Sequence, residues 1–139
     1  VGPQPVAGEA GTQLNRQIPG YVLALVLGCG LALPGLADSA ARTAAEIDYL
    51  LDYVSTSGCS FIRNGKAHEA ADAADHLRLK YRRGKRYVNS AEQFIDRLAS
   101  ESSWTDKPYS VDCNGQTEPS RDWLHRALTD YRQRGITAE

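Results

Sequence analysis

The chain of 139 residues contains no methionine, not even at position 1. It reads either as the product of an alternative start codon or as a chain whose true start lies elsewhere. It also lacks any charge surplus. A formal net charge of −1 argues against a dedicated nucleic-acid binder, which carries a basic excess. Three cysteines and three histidines show no C-x-x-C or H-x-x-x-H spacing, so no metal-ligand pattern is present. There is no G-x-S-x-G elbow for a nucleophilic serine, no motif that names a cofactor, and no internal repeat. The length leaves room for one domain.

The longest hydrophobic run is Ile18–Ala37 (IPGYVLALVLGCGLALPGLA). Residues 1–17 before it are rich in Gly, Pro, Gln and Ala, without periodicity, as expected for a disordered leader. Arg16 precedes the run, Pro34 breaks it, and Gly35-Leu36-Ala37 supplies small residues where a signal peptidase reads. The preferred reading is a secretory signal cut after Ala37, leaving residues 38–139 as a single small exported domain, periplasmic or secreted. Two other readings fit the same run. It is long enough for an uncleaved membrane anchor over residues 18–37, and Val26-Leu27-Gly28-Cys29 resembles a lipoprotein box with the lipid on Cys29. All three export the domain.

Export decides how the cysteines are read. Cleavage leaves Cys59 and Cys113, and an even count in an oxidising compartment favours a disulfide. The alternatives are two buried thiols, or a metal pair that lacks its other ligands.

Four helices and two strands are expected. Ile47, Leu50, Leu51 and Val54 recur at i, i+3, i+4 and i+7, which draws one apolar stripe on a helix from about Ala40 to Ser57. Thr43 with Glu46 fits a capping box, and Gly58 is placed to end the helix. Cys59–Ile62 leans to strand, and Asn64-Gly65 is a turn signal. A second helix is expected from Ala67 or Glu69 to Arg82, with Gly84 ending it. A third follows a capping box at Ser90/Gln93 or Asn89/Glu92, with Phe94, Ile95, Leu98 and Ala99 buried. Glu101–Lys107 reads as a polar loop in which Trp104 folds back over the core. Tyr109–Cys113 alternates as a half-buried strand does. The last helix starts at Ser120, packs Trp123, Leu124, Ala127, Leu128 and Tyr131, and turns Arg121, Arg126 and Arg132 to water. The expected class is α+β and helix-dominated, about four helices around a small two-stranded sheet tied by one disulfide.

Several segments occur together in order: Phe61–Gly65 (FIRNG), His76–Lys80 (HLRLK), Ser90–Asp96 (SAEQFID), Ala99-Ser100 with Ser102-Ser103, and Lys107–Tyr109 (KPY). In these the chain resembles the YfeK-like family of small exported proteobacterial proteins, domain-of-unknown-function family 5329, from about Ala45 to Arg132. It departs from the pattern at Trp104-Thr105-Asp106, where the family has a small residue and glycine. The resemblance implies an exported single domain and no assigned activity.

Two constellations carry chemistry. Arg78, Lys80, Arg82, Arg83, Lys85 and Arg86 place six cations in nine residues. They read as a patch for an anionic lipid headgroup or acidic glycan, or as a solvated helix end whose cations complement the dipole. Around the shared segments lie Arg63, His76, Lys80, Ser102, Ser103, Lys107 and Tyr109. His76 and Lys80 are i and i+4 and share a helix face. Converged, this set makes a cationic, hydroxyl-lined pocket for a carboxylate or phosphate. The plainer reading bonds His76 to the backbone or Asp72, pairs Arg63 with an acid or the turn, and uses the serines to fill a loop. The functional expectation is a non-enzymatic module for an envelope component or a partner protein. The alternative is a small envelope-directed hydrolase or transferase using His76 with Ser102 or Ser103. Neither needs a cofactor, and nucleic acid is not an expected partner. The membrane enters only through the N-terminal segment, uncleaved or lipidated at Cys29.

Overall fold

The computed structural model describes residues 34–136 and the isolated positions 2, 3 and 8. The chain divides after Leu31, and every described element belongs to the second unit. The expected leader and signal segment therefore lie outside the described residues, apart from Pro34–Ala37, which open the first helix. No described helix is long and apolar enough to cross a membrane.

The elements are α1 (Pro34–Thr56), β1 (Ser60–Arg63), β2 (Lys66–His68), α2 (Ala70–Gly84), a 3₁₀ turn (Lys85–Tyr87), α3 (Ala91–Phe94) widening into a π-helix (Ile95–Ala99), β3 (Ser110–Cys113), β4 (Gln116–Pro119) and α4 (Ser120–Ile136). The α+β, helix-dominated class stands. The sheet has four strands rather than two, all antiparallel, in the order β2-β1-β3-β4. Both Asn-Gly pairs close hairpins. Asn64, Gly65, Asn114 and Gly115 all take positive φ, the geometry that matches hairpin twist. The extra strands were hidden because Lys66-Ala67-His68 and Gln116–Pro119 are edge strands with no apolar alternation. Ala67, expected to open a helix, instead pairs with Ile62.

The first helix begins at Pro34, not near Ala40, and the Thr43/Glu46 capping box is not formed. Proline suits the first turn of a helix because its missing N–H needs no partner there. The Thr43 hydroxyl donates to Asn89 O at 3.4 Å instead, and Glu46 is buried at 5 % exposure. Its carboxylate accepts from Arg132 Nε at 2.7 Å and Nη2 at 2.8 Å. Arg132 also donates to Glu92. Arg132 thus joins α4 to α1 and α3 while its side chain stays partly open to water, as expected. The third cap forms around Ser90, whose Oγ accepts from Gln93 N at 3.2 Å, while Gln93 Oε1 takes Asn89 N at 2.9 Å.

The apolar stripes meet where expected. Ile47, Leu50, Val54, Phe94, Ile95, Val111, Leu124 and Leu128 are fully buried, each worth about 1.5–3 kcal/mol of transfer free energy. Cys59 and Cys113 are joined, with Cα atoms 4.6 Å apart, at a sequence separation of 54. The register explains the pairing. Ser60 faces Asp112, so the next pair outward is Cys59 with Cys113, at the spacing of a non-hydrogen-bonded antiparallel pair.

Candidate functional site

The site grows from the other end of the same strands. Side chains alternate along a strand, so Arg63 shares the face of buried Phe61, and Tyr109 that of Val111. The β1–β3 register, continued one residue past Ile62 and Ser110, sets Arg63 across from Tyr109. The first half of α2 packs over this end. His76 meets the Tyr109 ring edge-on, with centroids 6.5 Å apart. One turn on, Lys80 Nζ donates to Glu101 O at 2.9 Å and to the Tyr109 hydroxyl at 3.3 Å, and lies 5.0 Å from that ring's centroid.

These groups border an open cavity of about 530 Å³, lined by Arg63, His76, Lys80, Arg83, Ser102, Ser103 and Trp104 together with Asn64, Leu79, Gly84 and Leu98. Five of the expected site residues, Arg63, His76, Lys80, Ser102 and Ser103, therefore converge. Tyr109 sits behind them, lining a small apolar cleft of about 40 Å³ that also touches Arg63 and His76. Lys107 lines neither cavity. It is exposed, and its carbonyl accepts Ser102 N at 3.0 Å. Arg83, Trp104 and Leu98 were not in the expected set. Arg83 follows Lys80 by three residues, so helical spacing alone would have added it. The α3 widening turns Leu98 to the cavity and Ala99 to the cleft. A Cβ on Gly84 would come within 3.1 Å of the Leu98 side chain.

Trp104 corrects an expectation. It does not cover the core but stands 96 % exposed at the cavity's rim. The loop carrying it is held by its own bonds: Asp106 N to Ser102 O at 2.9 Å, Trp104 N to Ser102 Oγ at 3.4 Å, and Thr105 Oγ1 to Asn64 Oδ1 at 2.7 Å. These bonds hold the backbone so that the indole stands clear of the core.

The plainer readings of the polar set hold for Ser102, which fills its loop, and not for the cations. Among the described residues the Arg63 side chain makes no hydrogen bond or salt bridge, and the His76 ring makes no hydrogen bond to Asp72 or to the backbone. Burial, then Arg63, Lys80 and His68, lower the His76 pKa from 6.5 to about 4, so the ring is neutral at physiological pH. Burial also lowers Lys80, from 10.5 to about 8, against the pull of Glu101. Burial raises Tyr109. The site is thus an underpaired cationic pocket: one fixed charge at Arg63, one adjustable charge at Lys80, and a neutral ring between. The chemistry of this set suits an anion, whose charge would offset the repulsion acting on Lys80 and His76. Among the described residues no three of His, Cys, Asp and Glu are placed to hold a metal ion.

The family described as "Family of unknown function (DUF5329)" matches residues 41–132. The chain belongs to this family. DUF5329 spans the chain from α1 to the last turns of α4, and so contains the whole sheet, both cysteines and every residue of the cavity. The chain is also similar to "Uncharacterized protein YfeK" of Salmonella typhimurium (strain LT2), with 39 % identity over 89 residues, covering 63 % of this chain and 74 % of that protein. No solved structure matches.

Proposed function

We propose that this DUF5329 domain is a non-enzymatic binding module of the cell envelope, and that its cavity holds a carboxylate or phosphate group of an envelope component. The carrying observation is the Arg63 guanidinium, which lies beside Lys80 and the neutral His76 with no hydrogen-bonding or ionic partner among the described residues. Arginine is suited to a planar, bidentate grip on such groups. An exported location is part of this reading, and the apolar segment at 18–37 and a disulfide of the kind that persists in oxidising compartments support it. The hydrolase or transferase reading has less support. The Ser102 hydroxyl serves its own loop at 4 % exposure, and no hydrogen bond joins His76 to Ser102 or Ser103 among the described residues.

The test is a thermal-shift series on the oxidised protein with phosphate, sugar acids, peptidoglycan fragments and anionic lipid headgroups. A ligand of the folded state raises the melting temperature by mass action. The expected result is a dose-dependent rise for an anion, lost in Arg63→Ala and retained in Arg126→Ala. A rise that survives both Arg63→Ala and Lys80→Met would place binding elsewhere.

A further inference from the structure

Two groups of five cations in this domain differ in their partners. Arg42, Arg78, Arg121, Arg126 and Arg132 each hold a carboxylate at 3.4 Å or less. Arg82, Arg83, Lys85, Arg86 and Lys107 form no ion pair or side-chain hydrogen bond among the described residues, and all five are exposed. The recorded side-chain contacts of Lys85 and Arg86 are with aromatic rings, 6.0 Å from the Tyr81 centroid and 4.7 Å from that of Tyr87. The segregation is spatial as well as chemical. Arg83 and Trp104 line one cavity, Lys107 closes the Trp104 loop, and Arg86 adjoins Tyr87, which is 57 % exposed. The acids of that loop, Glu101 and Asp106, are outnumbered by these five cations. A helix dipole accounts for Arg82 and Arg83 in the last turn of α2, but not for Lys85, Arg86 or Lys107 beyond it.

We infer that this face, with Arg82, Arg83, Lys85, Arg86 and Lys107 around Trp104 and Tyr87, docks the folded domain on an anionic phospholipid surface. The cations match the phosphate and headgroup charge, and the two amphipathic rings match the interfacial layer where Trp and Tyr concentrate. A soluble polyanion would engage the same cations and give the fully exposed indole no apolar phase to enter. The domain's near-zero net charge makes the attraction local to this face. The inference rests on the unpaired surface cations and exposed rings; Arg83 and Trp104 also line the anion pocket, so free phosphate is used to separate the two.

Trp104 supplies the readout, because the chain's other tryptophan, Trp123, is already buried. The full-length oxidised protein is titrated with phosphatidylcholine vesicles, with and without phosphatidylglycerol, while tryptophan emission is followed. Any binding through residues 18–37 is common to all variants. The expected result is a blue shift with the anionic vesicles alone, absent in Trp104→Phe and reversed as salt shortens the Debye length. Free phosphate at matched ionic strength leaves it in place, which separates lipid docking from pocket occupancy. In the variant Arg83→Ala/Lys85→Ala/Arg86→Ala affinity falls about fivefold for each cation removed, with the melting temperature close to native because these side chains form no ion pair or side-chain hydrogen bond among the described residues and only exposed contacts with aromatic rings. Equal shifts with zwitterionic vesicles, native affinity in the triple variant, or a shift with soluble polyglutamate in place of vesicles would each overturn the inference.

Discussion

The Lys80 ammonium stands 3.3 Å from the Tyr109 hydroxyl and 5.0 Å from the centre of the same ring. One aromatic side chain thus offers the cation both a hydrogen-bond partner and a π face, and neither carries a charge. The Lys80 charge has no ion-paired carboxylate among the described residues, so burial, with Arg63, lowers its pKa to about 8 against the weaker pull of Glu101. The first prediction follows. An anion in the cavity favours protonated Lys80, so affinity is highest below pH 8 and falls as pH rises through it. Calorimetric titrations with the strongest anion of the thermal-shift series, at pH 6.5 and pH 9, measure the fall. Lys80→Met binds more weakly and loses the dependence.

His76 gives a second pH effect, on stability. Its folded pKa of about 4 lies below the ordinary 6.5, so the unfolded chain binds the proton more readily. Stability contributed by the neutral ring is present above pH 6.5 and is lost as pH falls toward 4. The acids with lowered pKa, Glu92 and Asp96, act in a more acidic window, as pH falls through the ordinary carboxylate range and below it. Urea unfolding at pH 7, 5.5 and 4.5 should show the native midpoint dropping across the series. In His76→Gln the drop between pH 7 and 5.5 should be absent.

A third prediction concerns the Arg132 network. Removing Arg132 leaves the buried Glu46 carboxylate without either of its two charge-assisted bonds. Breaking a buried pair costs about 3–5 kcal/mol, and the 42 % exposure of the Arg132 side chain places the expected loss for Arg132→Met nearer about 2–3 kcal/mol. Arg126→Ala, which breaks the exposed pair with Glu118, should cost under about 1 kcal/mol. Chemical denaturation of the two variants side by side checks the contrast.

Helix faces and turns were legible in the sequence because they are local. The i, i+3, i+4 spacing of Ile47, Leu50 and Leu51 and the two Asn-Gly turns need no knowledge of the rest of the chain. Arg63, His76, Lys80, Ser102 and Ser103 were legible as a set through the shared segments around them. Three things were not. Strands β2 and β4 have no apolar period, since each is an edge strand organised by its turn. The pairing of Glu46 with Arg132 spans 86 residues and leaves no trace in local spacing. Trp104 was assigned to the core by its hydrophobicity, whereas its position is decided by backbone bonds in a seven-residue polar loop. Lys107 belongs to a shared segment and its carbonyl accepts Ser102 N, but its side chain lines neither cavity.

The disulfide yields a fourth prediction. Alkylation of the protein isolated without reductant should label neither Cys59 nor Cys113. Reduction, or Cys59→Ser, should destabilise the fold by an amount on the order of 4 kcal/mol in the chain-entropy model. That cost comes from freeing the chain between the two cysteines, at a sequence separation of 54, so the pocket residues should reassemble in whatever fraction remains folded.

The central claim is that the Arg63–His76–Lys80 cavity takes an anionic group. The most direct measurement is an NMR titration of the imidazole resonances of the three histidines, His68, His76 and His125, with phosphate and with a sugar acid at millimolar concentrations. The account predicts that the His76 ring shifts with added anion, that its pKa rises from about 4, and that both changes vanish in Arg63→Ala. A His76 ring that keeps its shift and its pKa at saturating anion, or that responds equally in Arg63→Ala, would contradict it.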